Sequence, residues 1–352
     1  ALATLNLSNG PSCLKTDQIV YSDVDYTIEV KNLTKRFGSL VAVDRLSFAV
    51  EPGEIFGLLG PNGAGKTTTL SMLCTILKPT SGTAIINGFD VIRQPSQVRQ
   101  SIGIVFQEPS IDDRLTGREN LEMHANLYGV PRGEQKRRIE ELLWLVELED
   151  RADSLMKTYS GGMRRRLEIA RGLIHHPKVL FLDEPTLGLD PQTREHIWSY
   201  IIQLSNRERI TMILTTHYME EADRLCGRTA IIDYGKIIAL DEPGRLKEEL
   251  EGDMIFVKTA MAKELSERLS GAEWVKDLKL LEGELKLTVK GGEAIIPRIV
   301  EIAASSGIHI ESISIREPTL EDVFLHYTGR EIRSAGGEEY HWIVAIKRRS
   351  IR

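Results

Sequence analysis

Apolar and polar residues alternate from Tyr26 onward, first in Thr27-Ile28-Glu29-Val30 and again in Leu46-Ser47-Phe48-Ala49-Val50. A period of two with one apolar face predicts two strands of a half-exposed antiparallel sheet. The pattern then changes. Glu54-Ile55-Phe56-Gly57-Leu58-Leu59 is apolar almost throughout, as suits a buried parallel strand, and it runs through a glycine-rich turn into a helical stretch from Lys66 to Leu77. Residues 115–150 turn helical. From Ser160 the order is helix, buried strand (Val179 to Leu182), helix (Pro191 to Asn206), buried strand (Ile210 to Leu214). The fold class this predicts is α/β: a mostly parallel sheet with an antiparallel β subdomain and an inserted helical subdomain, residues 115–175.

A second unit follows Asp241-Glu242-Pro243-Gly244. Its pattern reads strand 254–258, helix 261–269, strand 274–280, strand 284–289, helix 293–306 and strand 308–315, with Glu282-Gly283 in the hairpin turn. That βαββαβ order is a small α+β ferredoxin-like domain. The expected division is an N-terminal extension 1–25, a nucleotide-binding domain 26–243, a regulatory or dimerisation domain 244–330 and a tail 331–352.

Composition narrows the function classes. Of 352 residues, 41% are hydrophobic and 27% charged, which describes a folded globular chain rather than disorder. A net charge of −6 argues against a protein that reads nucleic-acid backbone charge. Cys13, Cys74 and Cys226 are scattered, with neither disulfide nor zinc-site spacing. No apolar run approaches the roughly 18 residues that cross a bilayer, and residues 1–25 lack the basic and apolar regions of a secretory signal.

Three clusters carry chemistry. Gly60-Pro61-Asn62-Gly63-Ala64-Gly65-Lys66-Thr67 fits G-x-x-x-x-G-K-[ST], after an apolar strand and before a helix. Its glycines let successive N–H groups face phosphate oxygens at the positive end of a helix. Lys66 is then placed to reach the β- and γ-phosphates, Thr67 to coordinate Mg²⁺, and the neighbouring Thr68 to join the nucleotide contacts. Val179-Leu180-Phe181-Leu182-Asp183-Glu184 is an apolar strand delivering two carboxylates to the sheet edge. Asp183 suits Mg²⁺, and Glu184 is the natural general base for an attacking water. Tyr159-Ser160-Gly161-Gly162-Met163 opens the helix before that strand, with Ser160 a good N-cap and two bare glycine N–H groups. An N-capped surface helix with a basic first turn would use the same residues. Two phosphate sites on different elements of one chain suggest instead that each completes a site on another copy.

Together these clusters resemble the ABC ATPase family over residues 26–243, with Tyr159 and Met163 where Leu and Gln are commonest in the family's signature motif. The resemblance implies further roles: Phe37 stacking on adenine, Gln107 touching Mg²⁺ and the attacking water, Gly188-Leu189-Asp190 crossing a dimer interface, and His217 contacting the γ-phosphate. Residues Ile111 to Leu121 and Glu317 to Phe324 are similar to the daunorubicin-resistance group. That likeness implies an exporter ATPase bound to ATP and Mg²⁺, working as a homodimer at the cytoplasmic face of the cell membrane with a separate ABC-2-type permease and no nucleic acid. An importer subunit or a soluble, non-transport ATPase of the same family would share the chemistry. Glu339 to Arg349 turns apolar and then basic, as a surface tail or the start of a fused permease would.

Overall fold

The computed structural model describes residues 26–328, apart from Pro109, Glu251, Glu282, Gly283 and Lys290. The expectations for residues 1–25, the Glu282-Gly283 turn and the tail 331–352 fall outside the described residues.

The alternating segments become β1 (Ile28–Phe37) and β2 (Leu40–Val50), paired antiparallel from Ile28↔Val50 to Phe37↔Leu40. After them come β3 (Ile55–Leu59), wholly buried, and α1 (Lys66–Leu73). The helix is shorter than expected because Thr75 takes a left-handed φ of +61° and stops it. Next are β4 (Ser81–Ile86) and β5 (Phe89–Asp90), then α2 (Pro95–Ser101) and β6 (Ile102–Val105). β4 and β5 join the first hairpin in a four-stranded sheet of order β2-β1-β4-β5.

The helical block holds α3 (Gly117–Leu127), α4 (Arg132–Leu145) and α5 (Gly161–Gly172). Thr116 and Glu119 start α3 with a reciprocal capping box, which satisfies N–H groups that the first turn leaves free. β7 (Val179–Asp183), α6 (Pro191–Glu208), β8 (Thr211–Thr216), α7 (Met219–Leu225), β9 (Arg228–Asp233) and β10 (Lys236–Asp241) complete a six-stranded sheet of order β10-β9-β3-β8-β7-β6. Pairing is parallel from β9 through β6, and only β10 runs antiparallel. β7 and β8 are buried at every position, as strands covered on both faces must be.

After α8 (Pro243–Glu248), the chain forms β11 (Asp253–Lys258), α9 (Ala262–Leu269), β12 (Val275–Leu281), β13 (Glu284–Val289), α10 (Gly292–Ser305) and β14 (Ser312–Arg316). The sheet order β12-β13-β11-β14 is ferredoxin-like, and Ile255, Leu265, Leu287 and Ile299 centre a core of its own. The last strand begins later than the expected 308. Ile308 is buried in that core and the Thr259 hydroxyl holds the His309 carbonyl at 2.7 Å, so residues 308–310 are a connector. The chain then returns. Leu320, Val323 and Phe324 of α11 (Leu320–Thr328) share the core of the parallel sheet with Leu246 of α8 and Ala222 of α7. Residues of α8 and α11 thus pack on the parallel sheet, while the β11–β14 unit has a core of its own.

Candidate active site

β3 leads straight into the loop Gly60–Thr67, and Gly65 caps α1 with a φ of +104°. A Cβ at Gly60 would lie 2.2 Å from the Ile232 carbonyl oxygen, and one at Gly65 2.6 Å from that of Ala42. The loop is thus wedged between β9 and the β1–β2 hairpin, where no side chain fits. Its N–H groups are tied below, Gly60 to Thr216 O at 3.2 Å, while Asn62, Gly63 and Thr67 are exposed above. That leaves an open rim of backbone donors at a helix N-terminus. Pro61 and Thr68 are half-buried beside it, and Ala64 is buried. Phe37 is half-buried at the end of β1, in the hairpin that abuts Gly65, with the Lys35 ammonium 5.1 Å from its ring centroid.

Lys66 turns back under the loop. It is 4% exposed, and its Nζ donates to Gly60 O at 2.8 Å and Pro61 O at 3.1 Å and stands 3.4 Å from Glu184 Oε1. Burial pulls its pKa below the usual lysine value, against the opposing pull of Glu184. Asp183 ends β7, where Thr67 donates to its Oδ1 at 3.3 Å and the Thr215 hydroxyl donates to the same atom. Burial pushes its carboxyl up, partly offset by the Thr215 bond.

Glu184 follows at a φ of +44°, a left-handed conformation that costs a non-glycine residue about 1–3 kcal/mol. Its N–H bonds the carbonyl and the hydroxyl of Thr215, both at 3.1 Å. The conformation carries its side chain into the space between Lys66 and His217, whose Nδ1 lies 3.2 Å from Oε2 but off the hydrogen-bond line. Burial alone would raise this carboxyl; His217 and Lys66 outweigh it and hold the group below its ordinary value. Glu184 is thereby kept ionised in a buried place. Gln107 is exposed two residues beyond β6, the sheet neighbour of β7.

The remaining expected residues gather elsewhere. Ser160 caps α5 by accepting the Met163 N–H at 3.3 Å, and Asp190 caps α6 by accepting the Thr193 N–H at 3.0 Å. The two caps adjoin: a Cβ at Gly162 would meet Thr193 Cγ2 at 2.4 Å, and one at Gly161 would touch Leu189. Ser160, Gly161 and Asp190 are exposed, and among the described residues none of their hydrogen bonds reaches the Gly60–Thr67 loop.

Sequence reading missed Thr215, Arg165, Glu168 and Glu221. Thr215 shares Asp183 Oδ1 with Thr67. Glu221, 0% exposed, accepts from Thr186 at 2.7 Å and Trp198 at 3.0 Å, tying α7 to the turn after Glu184. The signal for Thr215 was a Thr-Thr strand end; the two glutamates gave none.

The Thr67 hydroxyl and the Asp183 carboxylate form a pair of hard oxygen donors beside a phosphate cradle, a set that fits magnesium, which binds through few protein groups and completes its shell with phosphate and water. Among the described residues no cluster of three or more His, Cys, Asp or Glu side chains could hold a metal unaided.

Phosphate loop, paired carboxylates and histidine at the carboxyl edge of a parallel sheet define a nucleotide-hydrolysing ATPase. Comparison with known proteins narrows the class. Residues 43–187 match the ABC transporter family, and residues 242–328 match the ATP-binding protein DrrA1-3-like, C-terminal domain. The linearmycin resistance ATP-binding protein LnrL of Bacillus subtilis is 38% identical, over 87% of this chain and 99% of its own length. The daunorubicin/doxorubicin resistance ATP-binding protein DrrA of Streptomyces peucetius is 40% identical, over 89% and 95%. A Nod factor export ATP-binding protein I of Burkholderia thailandensis is 40% identical, over 87% and 98%. Among solved structures, cbiO1 from Clostridium perfringens, part of the ABC transporter complex cbiONQ, aligns over 70% of this chain and 96% of its own, at a TM-score of 0.60 and 27% identity. A dimeric ATP-binding cassette in a post-hydrolysis state, bound to ADP and Pi, aligns over 61% and 98% at 0.55 and 28%. The chain belongs to the ATP-binding proteins of ABC transporters, in the drug-resistance group, and it is an ATPase. No helix among the described residues is long and apolar enough to cross a membrane.

Proposed function

We propose that this ATPase powers export of a drug, lipid or polysaccharide through a separate permease of the ABC-2 type, from the cytoplasmic face of the membrane. The observation that carries the reading is the C-terminal unit: residues 242–328 match the DrrA-like domain, and relatives named for drug resistance and Nod factor export align over nearly their whole length.

In the proposed site the N–H groups of Gly60–Thr67, with Lys66 and Thr68, bind the phosphates of ATP, and Phe37 stacks on its base. Thr67, Asp183 and Gln107 hold Mg²⁺, which when bound neutralises phosphate charge. Glu184 orients the attacking water and takes its proton, and its position between Lys66 and His217 supports that role by keeping it ionised. His217 and Lys66 stabilise charge that develops in transfer. Ser160–Gly162 and Asp190 act across a dimer of two such chains, a reading supported by the exposure of Ser160, Gly161 and Asp190 and by hydrogen bonds that stay within their own helix caps.

The permease docks on residues 108–130. Met123, Leu127 and Tyr128 of α3 and its C-terminal cap leave apolar surface exposed there, with Leu127 at 72%. The test is co-expression with a neighbouring ABC-2 permease. Resistance to the transported compound should require both proteins and vanish with Glu184→Gln; resistance that persists without ATP turnover would overturn the reading.

A further inference from the structure

Arg165 lies one and a half turns into α5, in what reads from sequence as a solvated run of arginines, yet it is 7% exposed. Its guanidinium makes four hydrogen bonds. Nε donates to Pro185 O at 2.6 Å, one terminal nitrogen to Asp183 O at 3.1 Å, and the other to both Phe106 O and Glu168 Oε2, the last at 2.9 Å. Glu168 is 1% exposed and spends its second oxygen on the Ser110 N–H at 2.7 Å.

The acceptors decide what this does. Asp183 O and Pro185 O are the carbonyls of the residues on either side of Glu184, the residue at a φ of +44°. Phe106 O is the carbonyl that leads into Gln107, and Ser110 lies in the same loop. A strained backbone persists only where its surroundings over-determine it. Thr215 holds the N–H of Glu184 from one side, and the planar fork of Arg165 holds the flanking carbonyls from the other. Arg165 and Ser160 share one helix, whose N-terminus carries Ser160–Gly162.

We infer that Arg165, oriented by Glu168, is a positioning residue for ATP hydrolysis: it fixes Glu184 in its left-handed conformation and sets the start of the Gln107 loop, anchoring both to α5. None of its hydrogen bonds goes to the phosphate loop. The inference rests on the reading of Glu184 as the general base. A strut that served folding alone would lower stability and the fraction of competent chains; a positioning residue lowers turnover in chains that still bind nucleotide.

The test uses the full chain with Arg165→Lys and with the double change Arg165→Met, Glu168→Met. The first keeps a cation beside Glu168 but loses the fork; the second removes both buried charges together and leaves neither unpaired. Turnover is measured against ATP concentration and divided by the chains that bind a fluorescent ATP analogue, with thermal melting alongside. Both variants should lose about 10- to 100-fold in kcat, as expected for a base displaced by a fraction of an ångström to an ångström, while KM and analogue affinity stay within about twofold. Arg165→Lys should retain the greater share. A kcat within about twofold of the parent per competent chain would overturn the inference, and so would kcat and affinity falling together with melting temperature, or failure of both variants to fold. Glu184→Gln is run in parallel: turnover there would remove the base assignment itself, whereas an inactive Glu184→Gln beside a fully active Arg165→Lys would remove only the role of Arg165.

Discussion

The Nζ of Lys66 and the Oε1 of Glu184 lie 3.4 Å apart with both side chains more than nine-tenths buried. The pair joins the phosphate loop to the residue after β7, so the lysine proposed to grip phosphate and the carboxylate proposed to activate water share one desolvated place. Removing one member of a buried pair leaves the other uncompensated. Here the bonds of Lys66 to Gly60 O and Pro61 O would survive such a change.

Glu184→Gln should therefore leave ATP binding intact while turnover falls about 100-fold or more, the share a positioned general base supplies. Hydrolysis assays beside size-exclusion chromatography check this, because the ATP-bound dimer should accumulate. Near-normal turnover would remove Glu184 from its role.

Ser160→Arg places a long cation at the exposed start of α5, whose cap bonds only the Met163 N–H. Nucleotide affinity of the monomer should be unchanged, and ATP-driven dimerisation should be lost. Light scattering with Glu184→Gln present in both chains reads the outcome; unimpaired dimerisation would mean that Ser160–Gly162 does not act in trans.

Phe324 is 1% exposed and belongs to the core of the parallel sheet, although it lies beyond the C-terminal unit in sequence. Phe324→Ala should cost about 3–5 kcal/mol and expose α7 amides to hydrogen exchange, not those of β11–β14 alone. Exchange confined to the small unit would contradict the shared core.

Asp322 anchors the same helix. Lys286 Nζ lies 2.7 Å from its Oδ1, and Asp322 also accepts the Thr319 N–H at 3.0 Å. Burial alone would raise this carboxyl, but Lys286 and Thr319 hold it below its ordinary value of 3.8. A depressed folded pKa contributes stability above the unfolded pKa and loses it as pH falls through the folded one. Lys286→Met should thus cost up to about 3 kcal/mol at neutral pH, the lower edge of what a broken buried pair costs, because Arg316 at 3.6 Å still faces Asp322. The difference from the parent should vanish once acid protonates Asp322 in both. Paired melts across acidic pH decide it, and a difference constant with pH would exclude the ion pair as its source.

Docking on α3 is tested best through its apolar residues. Asp112 holds Arg114, Asp113 pairs with Arg164 and Glu119 closes the α3 capping box, so charge reversal there would disturb the chain's own structure. Leu127→Asp, at a 72% exposed position, should abolish co-purification with the permease without lowering the melting temperature. Undiminished co-purification would place the interface elsewhere.

Much of the fold was legible because its signals are local. The apolar run before Gly60, the close-packed Gly60 and Gly65, and the apolar run ending at Asp183-Glu184 each state a strand, a turn or a chemistry within a few residues. The βαββαβ order was equally plain from periodicity. Arg165 was not legible, because three arginines in succession read as a solvated face and only the folded chain buries the middle one.

By itself the sequence determined the kinds of element, their order and the residue types able to bind phosphate, since backbone geometry and side-chain chemistry are properties of neighbours along the chain. Tertiary structure alone decided which groups meet. It set Glu184 between Lys66 and His217, brought Thr215 to Asp183, buried Arg165 against carbonyls around 20 and 60 residues away, and returned α11 to a core that the chain had left after α8. Those contacts follow from sheet order and from the burial of apolar faces, which depend on the whole chain at once and leave no mark at any one position.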